Sequence, residues 1–250
     1  MKEKYKSGFA AIIGMPNVGK STLLNKIAGQ KIAIISEKPQ TTRNKILAIH
    51  TTDTEQIIFT DTPGIHKPHN KLGEFMVNAA NETMRDVDVL LFVIDATRPI
   101  QDVEREIVKN IAKTGLPCIL VMNKVDLVEK SNLLPMIADY SSMYDFESIV
   151  PMSAKSGDGV DVLLNDIKNY IPEGPQFYDE DMITDQPEKQ IAAEIIREKM
   201  LWLLDKEIPH GIAIEITKMQ EKEKVTNIYA TIYCEKATHK GIIIGKNGDM

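Results

Sequence analysis

The stretch "GMPNVGKST", Gly14 to Thr22, directly follows the apolar run "FAAII" at 9–13. A G-x-x-x-x-G-K-[S/T] pattern between a short buried strand and a helix is a phosphate-cradling loop. Gly14 and Gly19 let backbone N–H groups approach phosphate oxygens, and Lys20 puts a point charge on the outer phosphates. The Ser21 hydroxyl suits Mg²⁺, and the helix that follows turns its positive N-terminus toward the same anion. Asn17, Val18 and Thr22 belong to the same cradle. The competing reading, a glycine-rich turn with a surface lysine, fits poorly with a strand before the pattern and a helix after it.

Apolar, β-rich runs recur at 9–13, 46–50, 56–60, 87–94, 118–122 and 148–152, with helical patterns at 20–28, 73–85, 102–113, 133–144 and 160–170. Near-continuous runs such as "VLLFVI" and "CILVM" suit strands buried on both faces. They predict an α/β domain with a mostly parallel six-stranded sheet and helices on both sides. The gap between 46–50 and 56–60 is too short for a crossover helix, so those two strands form an antiparallel hairpin.

Three further motifs stand at predicted strand ends. In "DTPG", Asp61 can reach a metal's water shell, and the Gly64 N–H can touch a terminal phosphate. In "NKVD", Asp126 can accept two hydrogen bonds from the N1–H and exocyclic amine of guanine. Adenine offers no such pair, and an unmatched partner in a buried site costs about 1–3 kcal/mol. Lys124 belongs to this motif. In "SAK", Ser153 to Lys155, the Ala154 N–H can meet the guanine O6. Ligands of open α/β sheets sit at the carboxyl ends of strands, so all four motifs converge on one site.

In these four motifs the chain resembles the Ras-like GTPases of the translation-factor class. The resemblance implies a P-loop GTPase that binds GTP and GDP with Mg²⁺. It makes "PQTTR" the effector loop, with Thr42 sensing Mg²⁺ and the γ-phosphate, and has Asn123 brace the phosphate loop. It also implies catalytic roles for Lys20, Thr42 and Gly64, and metal contacts from Ser21, Thr42 and Asp61. Ras-like signalling GTPases carry a water-orienting glutamine after D-x-x-G. Here that residue is Ile65, and no arginine finger is assignable, so slow intrinsic hydrolysis is expected. In related GTPases with Asn at the Asn17 position and a hydrophobic residue at the Ile65 position, that Asn helps bind K⁺, which extends the expectation to K⁺.

The pattern changes after Pro172. The segment "PEGPQFYDEDMITDQPE" mixes prolines, a glycine and acidic residues and reads as a linker. The expected division is a GTPase domain at 1–173, a linker at 174–187 and a second domain at 188–250. Formal charge separates the parts, with −6 before residue 188 and zero over 188–250. The second part opens with a helical pattern at 188–207, followed by two period-two runs at 211–219 and 226–234 that predict half-exposed antiparallel strands. "KGIIIGKNGDM" then holds G-K-N-G, Gly245 to Gly248. A GXXG loop at a helix start clamps the backbone of single-stranded nucleotides in KH domains. Lys240, Lys246 and Asn247 are the expected RNA contacts beside Gly245 and Gly248, with Lys236 nearby, and "GIII" lines a base groove.

A GTPase joined to this α+β KH-like form is similar to the bacterial ribosome-assembly GTPases. That resemblance implies binding to small-subunit ribosomal RNA near its 3′ end and help in maturing that subunit. It also implies a cytoplasmic monomer with peripheral attachment at the inner membrane face. A KH domain of this form needs a further helix and a third strand beyond Met250, so the KH-like part is expected to be truncated in this chain. A second reading is a membrane- or protein-docking switch whose C-terminal part is a protein-interaction module. A third is a nucleotide-binding protein with negligible turnover.

Composition narrows the remaining possibilities. A net charge of −6 disfavours a generally basic nucleic-acid coat but allows a local basic groove. Cys118 and Cys234 lie far apart and make no disulfide framework, so both are expected as reduced thiols. The apolar stretch near the N-terminus is far too short to span a bilayer. His66 and His69 lack companions at metal-ligand spacing. Trp202, beside Leu201, Leu203 and Leu204, is expected in a core.

Overall fold

The structure is a computed structural model and describes residues 4–36, 46–61, 86–204, 211–245 and 248. It divides into two compact units, one running to residue 185 and one from 186 onward, with 34–36 grouped in the second. The predicted helix at 73–85, the effector loop with Thr42, and Gly64, Ile65, His66, His69, Lys246 and Asn247 lie outside the described residues.

In the first unit, β1 (Lys6–Ile13) leads through the glycine loop into α1 (Lys20–Ala28). Strands β2 (Ile46–Thr51), β3 (Glu55–Asp61) and β4 (Val89–Asp95) come next, then helix α2 (Asp102–Thr114) and strand β5 (Cys118–Asn123). Helix α3 (Lys130–Met143), strand β6 (Ser148–Pro151) and helix α4 (Val160–Ile167) complete the unit. The sheet has six strands in the order β2-β3-β1-β4-β5-β6. Among the described strands of this sheet only the β2–β3 pair is antiparallel, as the short gap between those runs predicted.

Alternation along the strands explains the layers. Ala10 and Ile12 of β1 join Leu91, Val93 and Val121 under α1 and α4, where Leu23, Leu24, Leu163 and Ile167 are buried. The intervening Ala11 and Ile13 join Phe92, Leu120 and Met122 against Ile107, Val108 and Ile111 of α2 and Tyr140 of α3. Successive side chains point to opposite faces, so strands apolar at every position must be covered on both sides. Each fully buried Ile, Leu, Val, Phe or Met side chain here contributes about 1.5–3 kcal/mol. Helix α2 also carries its own start and stop signals. Gln101 and Glu104 form a reciprocal capping box, and Gly115 closes the helix with a left-handed φ of 70°.

Strand order reverses at β1, which has β3 on one side and β4 on the other. That switch point opens a crevice at the carboxyl end of β1, where the glycine loop begins. Register brings the other strand ends level with it. Ile12 pairs with Asp61, Asp95 with Asn123, and Met122 with Pro151.

Residues 172–184 run along this unit rather than away from it. Ser7 N–H donates to Pro172 O, and Gly174 N–H to Tyr5 O. The fully buried Gln56 accepts from the N–H groups of Phe177 and Tyr178 and donates to Tyr178 O. Ile49 N–H donates to Ile183 O at 2.8 Å, and the Thr184 hydroxyl to Leu47 O at 2.7 Å.

In the second unit, α5 (Glu188–Leu203) precedes the strands β7 (Ile212–Glu221) and β8 (Thr226–Cys234) and helix α6 (Ala237–Ile244). The two strands pair antiparallel, with a register shift between Ile216 and Lys218. Met200, Leu204 and Ile212 form the core here, with Ile196, Ile214 and Ile243 packed against them. One expectation needs correction. Trp202 is 55% exposed. The buried positions of α5 are Arg197, Glu198, Met200 and Leu201, whereas Trp202 lies in the last turn with the Lys199 ammonium 4.1 Å from its ring centre. The apolar "GIII" forms the last turn of α6, and Gly245 closes that helix with φ 73°.

Candidate functional site

The glycine loop is held from three directions. Gly14 has φ +152°, and a Cβ there would lie 2.3 Å from Val93 O, so no larger residue fits against β4. Gly19 stands at the start of α1 with φ +101°, and a Cβ would meet the Asn123 Nδ2 at 2.1 Å. Asn17 takes a left-handed φ of 65°, a conformation uncommon outside glycine. These constraints leave the loop backbone wrapped around the start of α1, the geometry that presents N–H groups to an anion.

Lys20 is 7% exposed, and its Nζ donates to Gly14 O at 3.2 Å and Met15 O at 2.9 Å, folding the side chain over the loop. Burial lowers the Lys20 ammonium to a pKa of about 8, with nearby Asp61 pulling the other way. A phosphate in the loop would offer this buried cation a stronger acceptor than two carbonyls.

The Ser21 hydroxyl lies 2.8 Å from Asp61 Oδ2, and Asp61 itself is buried. A hydroxyl and a carboxylate meeting at a phosphate loop form a hard-oxygen donor pair of the kind Mg²⁺ takes, and the site residues therefore fit that ion.

Asn123 joins two loops. Its Nδ2 donates to Val18 O at 2.7 Å, and its Oδ1 accepts from Ala154 N–H at 2.9 Å. One buried amide thus ties the glycine loop to the "SAK" loop after β6. That second loop is also closed on itself, with Ser153 N–H donating to Asp158 O and Gly157 N–H to Ser153 O. Ser153 and Ala154 are buried and Lys155 is exposed. Asp126 is exposed in the short 3₁₀ turn Val125–Leu127, whose Val125 N–H donates to Met152 O. An exposed carboxylate beside buried backbone donors can offer an incoming purine both acceptors and a donor.

Asp95 belongs to this constellation, although no motif in the sequence marks it. It ends "VLLFVID", is 6% exposed, and binds the Lys124 ammonium at 2.6 Å. Lys124 also donates to Asn17 O at 2.9 Å. The available signal is positional, because Asp95 ends its strand as Asn123 ends the next one.

The structure thus brings Gly14, Asn17, Val18, Gly19, Lys20, Ser21, Asp61, Asn123, Lys124 and Ala154 into one linked cluster at the carboxyl end of the sheet. Thr22 follows Ser21 within α1. In the second unit, Lys240 is exposed on α6, and Gly245 and Gly248 both have positive φ, at 73° and 80°. Among the described helices, none is long and apolar enough to cross a membrane.

Comparison with known proteins agrees with both units. Residues 9–124 match the family described as 50S ribosome-binding GTPase, and residues 207–250 match the KH domain family. The chain is 57% identical to the GTPase Era of Ruminiclostridium cellulolyticum over 98% of its own length and 83% of that relative's. It is 52% identical to GTPase Era of Clostridioides difficile, with the same coverage. Among solved structures it matches Era in complex with MgGDPNP and nucleotides 1506–1542 of 16S ribosomal RNA, with a TM-score of 0.91 and 42% identity. That match covers 98% of this chain and 84% of the other. A point variant of Aquifex aeolicus Era bound to GDP·AlF₄⁻ matches with a TM-score of 0.92 and 41% identity, over the same shares. With its phosphate loop, its base-side asparagine brace and its second unit, the chain belongs to the Era family of GTPases.

Proposed function

We propose that this chain is a GTP-hydrolysing switch that binds small-subunit ribosomal RNA near its 3′ end and assists maturation of that subunit. The convergence of four strand-end motifs on one crevice carries the nucleotide half of this reading. The solved relative that holds MgGDPNP together with a 16S ribosomal RNA fragment supports the RNA half.

Each residue then has a task. Gly14 to Thr22 wrap the phosphates, and Lys20 places its charge on the outer two. Ser21 and Asp61 hold Mg²⁺, joined by Thr42, and the ion neutralises charge on the phosphate oxygens when bound. Gly64 contributes an N–H to the γ-phosphate. Asp126 reads the guanine edge with the Ala154 N–H, flanked by Ser153 and Lys155, and Asn123 and Lys124 hold the base loop to the phosphate loop. Ile65 cannot orient water, so hydrolysis is slow without an activator, and Asn17 offers K⁺ a place beside the phosphates. In the second unit, Lys240, Gly245, Lys246, Asn247 and Gly248 grip the RNA backbone. The protein works in the cytoplasm, with peripheral attachment to the inner membrane face.

Co-sedimentation with purified small ribosomal subunits tests the switch. The chain should be retained with a non-hydrolysable GTP analogue, and much less with GDP or without nucleotide. Gly245→Asp or Gly248→Asp should abolish retention, because a carboxylate at the loop repels phosphate. Equal retention in all three nucleotide states, or full retention of both variants, would overturn the reading.

A further inference from the structure

Lys124 has a φ of +66°, a left-handed conformation that a lysine adopts only when its surroundings enforce it. In the chain it lies between Asn123 and Asp126, the two polar residues of the base loop. Its own ammonium points back to the phosphate loop, at 2.9 Å from Asn17 O. Something must hold so long and flexible a side chain in that one place. Asp95 does so through Oδ2, at 2.6 Å from Lys124 Nζ.

The Asp95 carboxylate is itself fixed. Its Oδ1 accepts from the Thr97 N–H at 3.0 Å and the Thr97 hydroxyl at 2.6 Å. Arg98 Nε lies 3.2 Å from Oδ2. The backbone beneath it is tied to the base loop as well, through Ala96 N–H donating to Asn123 O. Burial alone would raise the Asp95 pKa, but hydrogen bonds from Lys124 and Thr97 hold it below the ordinary carboxylate range.

We propose that Asp95 is a positioning residue for the nucleotide site. By clamping the Lys124 ammonium against the Asn17 carbonyl, it fixes the spacing between the loop that reads the base and the loop that holds the phosphates. This rests on the guanine-nucleotide reading. The clamp also bears on Asn17, because Lys124 grips the carbonyl of the residue that offers K⁺ its place. If the carboxylate acted only as a local cap for Thr97 and Arg98, the effect of removing it on nucleotide release would be independent of Lys124, and that difference is measurable.

The test is a double-mutant cycle on the full chain, reading dissociation of fluorescently labelled GDP. Asp95→Ala should speed dissociation about ten- to a hundredfold, the span expected for losing a charge-assisted hydrogen bond in a buried site. Lys124→Met should do at least as much. The double variant should dissociate no faster than Lys124→Met alone, because Asp95 acts through that lysine. GTP turnover at saturation should change much less than affinity. If Asp95→Ala fails to fold, Asp95→Asn, which keeps the shape and an acceptor for Thr97, takes its place in the cycle with a smaller effect. Additive effects, or dissociation within about twofold of the native rate, would overturn the proposal. A native chain that binds no GDP would instead overturn the nucleotide reading, and this proposal with it.

Discussion

Gly19 shows how a single residue in this site serves two neighbours. Its φ of +101° starts α1, and its missing side chain leaves room for the Asn123 amide, which would otherwise lie 2.1 Å from a Cβ. Gly19→Ala should therefore both strain the backbone and push Asn123 off Val18 O and Ala154 N–H. Those two effects together cost about 2–4 kcal/mol. The variant should melt several degrees below the native chain and lose at least about tenfold in GDP affinity. An unchanged melting curve with native affinity would contradict this account. The need for glycine at position 19 is legible from G-x-x-x-x-G-K-S. The steric partner that enforces it is not, because Asn123 lies far along the chain and its approach depends on the register of β4 with β5. Asp95 escapes a sequence reading for the same reason. Its motif is one carboxylate at a strand end, and its meaning emerges only when Lys124 is placed beside it.

Among elements, the segment from Pro172 to Thr184 departs most from its sequence appearance. Its prolines, glycine and acids show no period, so nothing in the pattern says where it lies. Its attachment runs mainly through its backbone, to Gln56 and Ile49, with the Thr184 hydroxyl reaching Leu47 O, and backbone bonding leaves no compositional trace. Gln56 is the buried anchor, and its amide serves both Phe177 and Tyr178. Gln56→Leu keeps the volume but removes the partner of two part-buried N–H donors and a carbonyl, at about 0.5–1.5 kcal/mol for each bond lost. Hydrogen exchange at the amides of Phe177 and Tyr178 should then accelerate at least about tenfold, with exchange at β4 and β5 unchanged. Native protection at those two amides would show that the segment is held by other contacts. The strands are far easier to read. Runs such as "VLLFVI" leave no polar face, and the gap between β2 and β3 admits no helix, so both the parallel core and its one antiparallel pair follow. Trp202 goes the other way. Its apolar neighbours suggest a core position, but it is exposed in the last turn of α5, one turn beyond the buried Glu198.

At the scale of the whole molecule, the chain joins a nucleotide-reading unit of net charge −6 to a unit of net charge zero that carries a GXXG loop. That division is legible in the change from buried apolar runs to period-two strands. The site in the first unit is legible because its motifs stand at strand ends in a fixed order, and strand ends of a parallel sheet meet at one edge. The central claim is that this edge selects guanine through Asp126. The most direct test measures hydrolysis of GTP, ATP and XTP by the native chain and by Asp126→Asn. Xanthine carries a carbonyl where guanine has its amine, and an asparagine amide can donate to that carbonyl while accepting from N1–H. The native chain should turn over GTP and discriminate against ATP and XTP by at least about tenfold, and the variant should prefer XTP. Comparable use of ATP and GTP by the native chain, or a variant that still prefers GTP, would contradict the account.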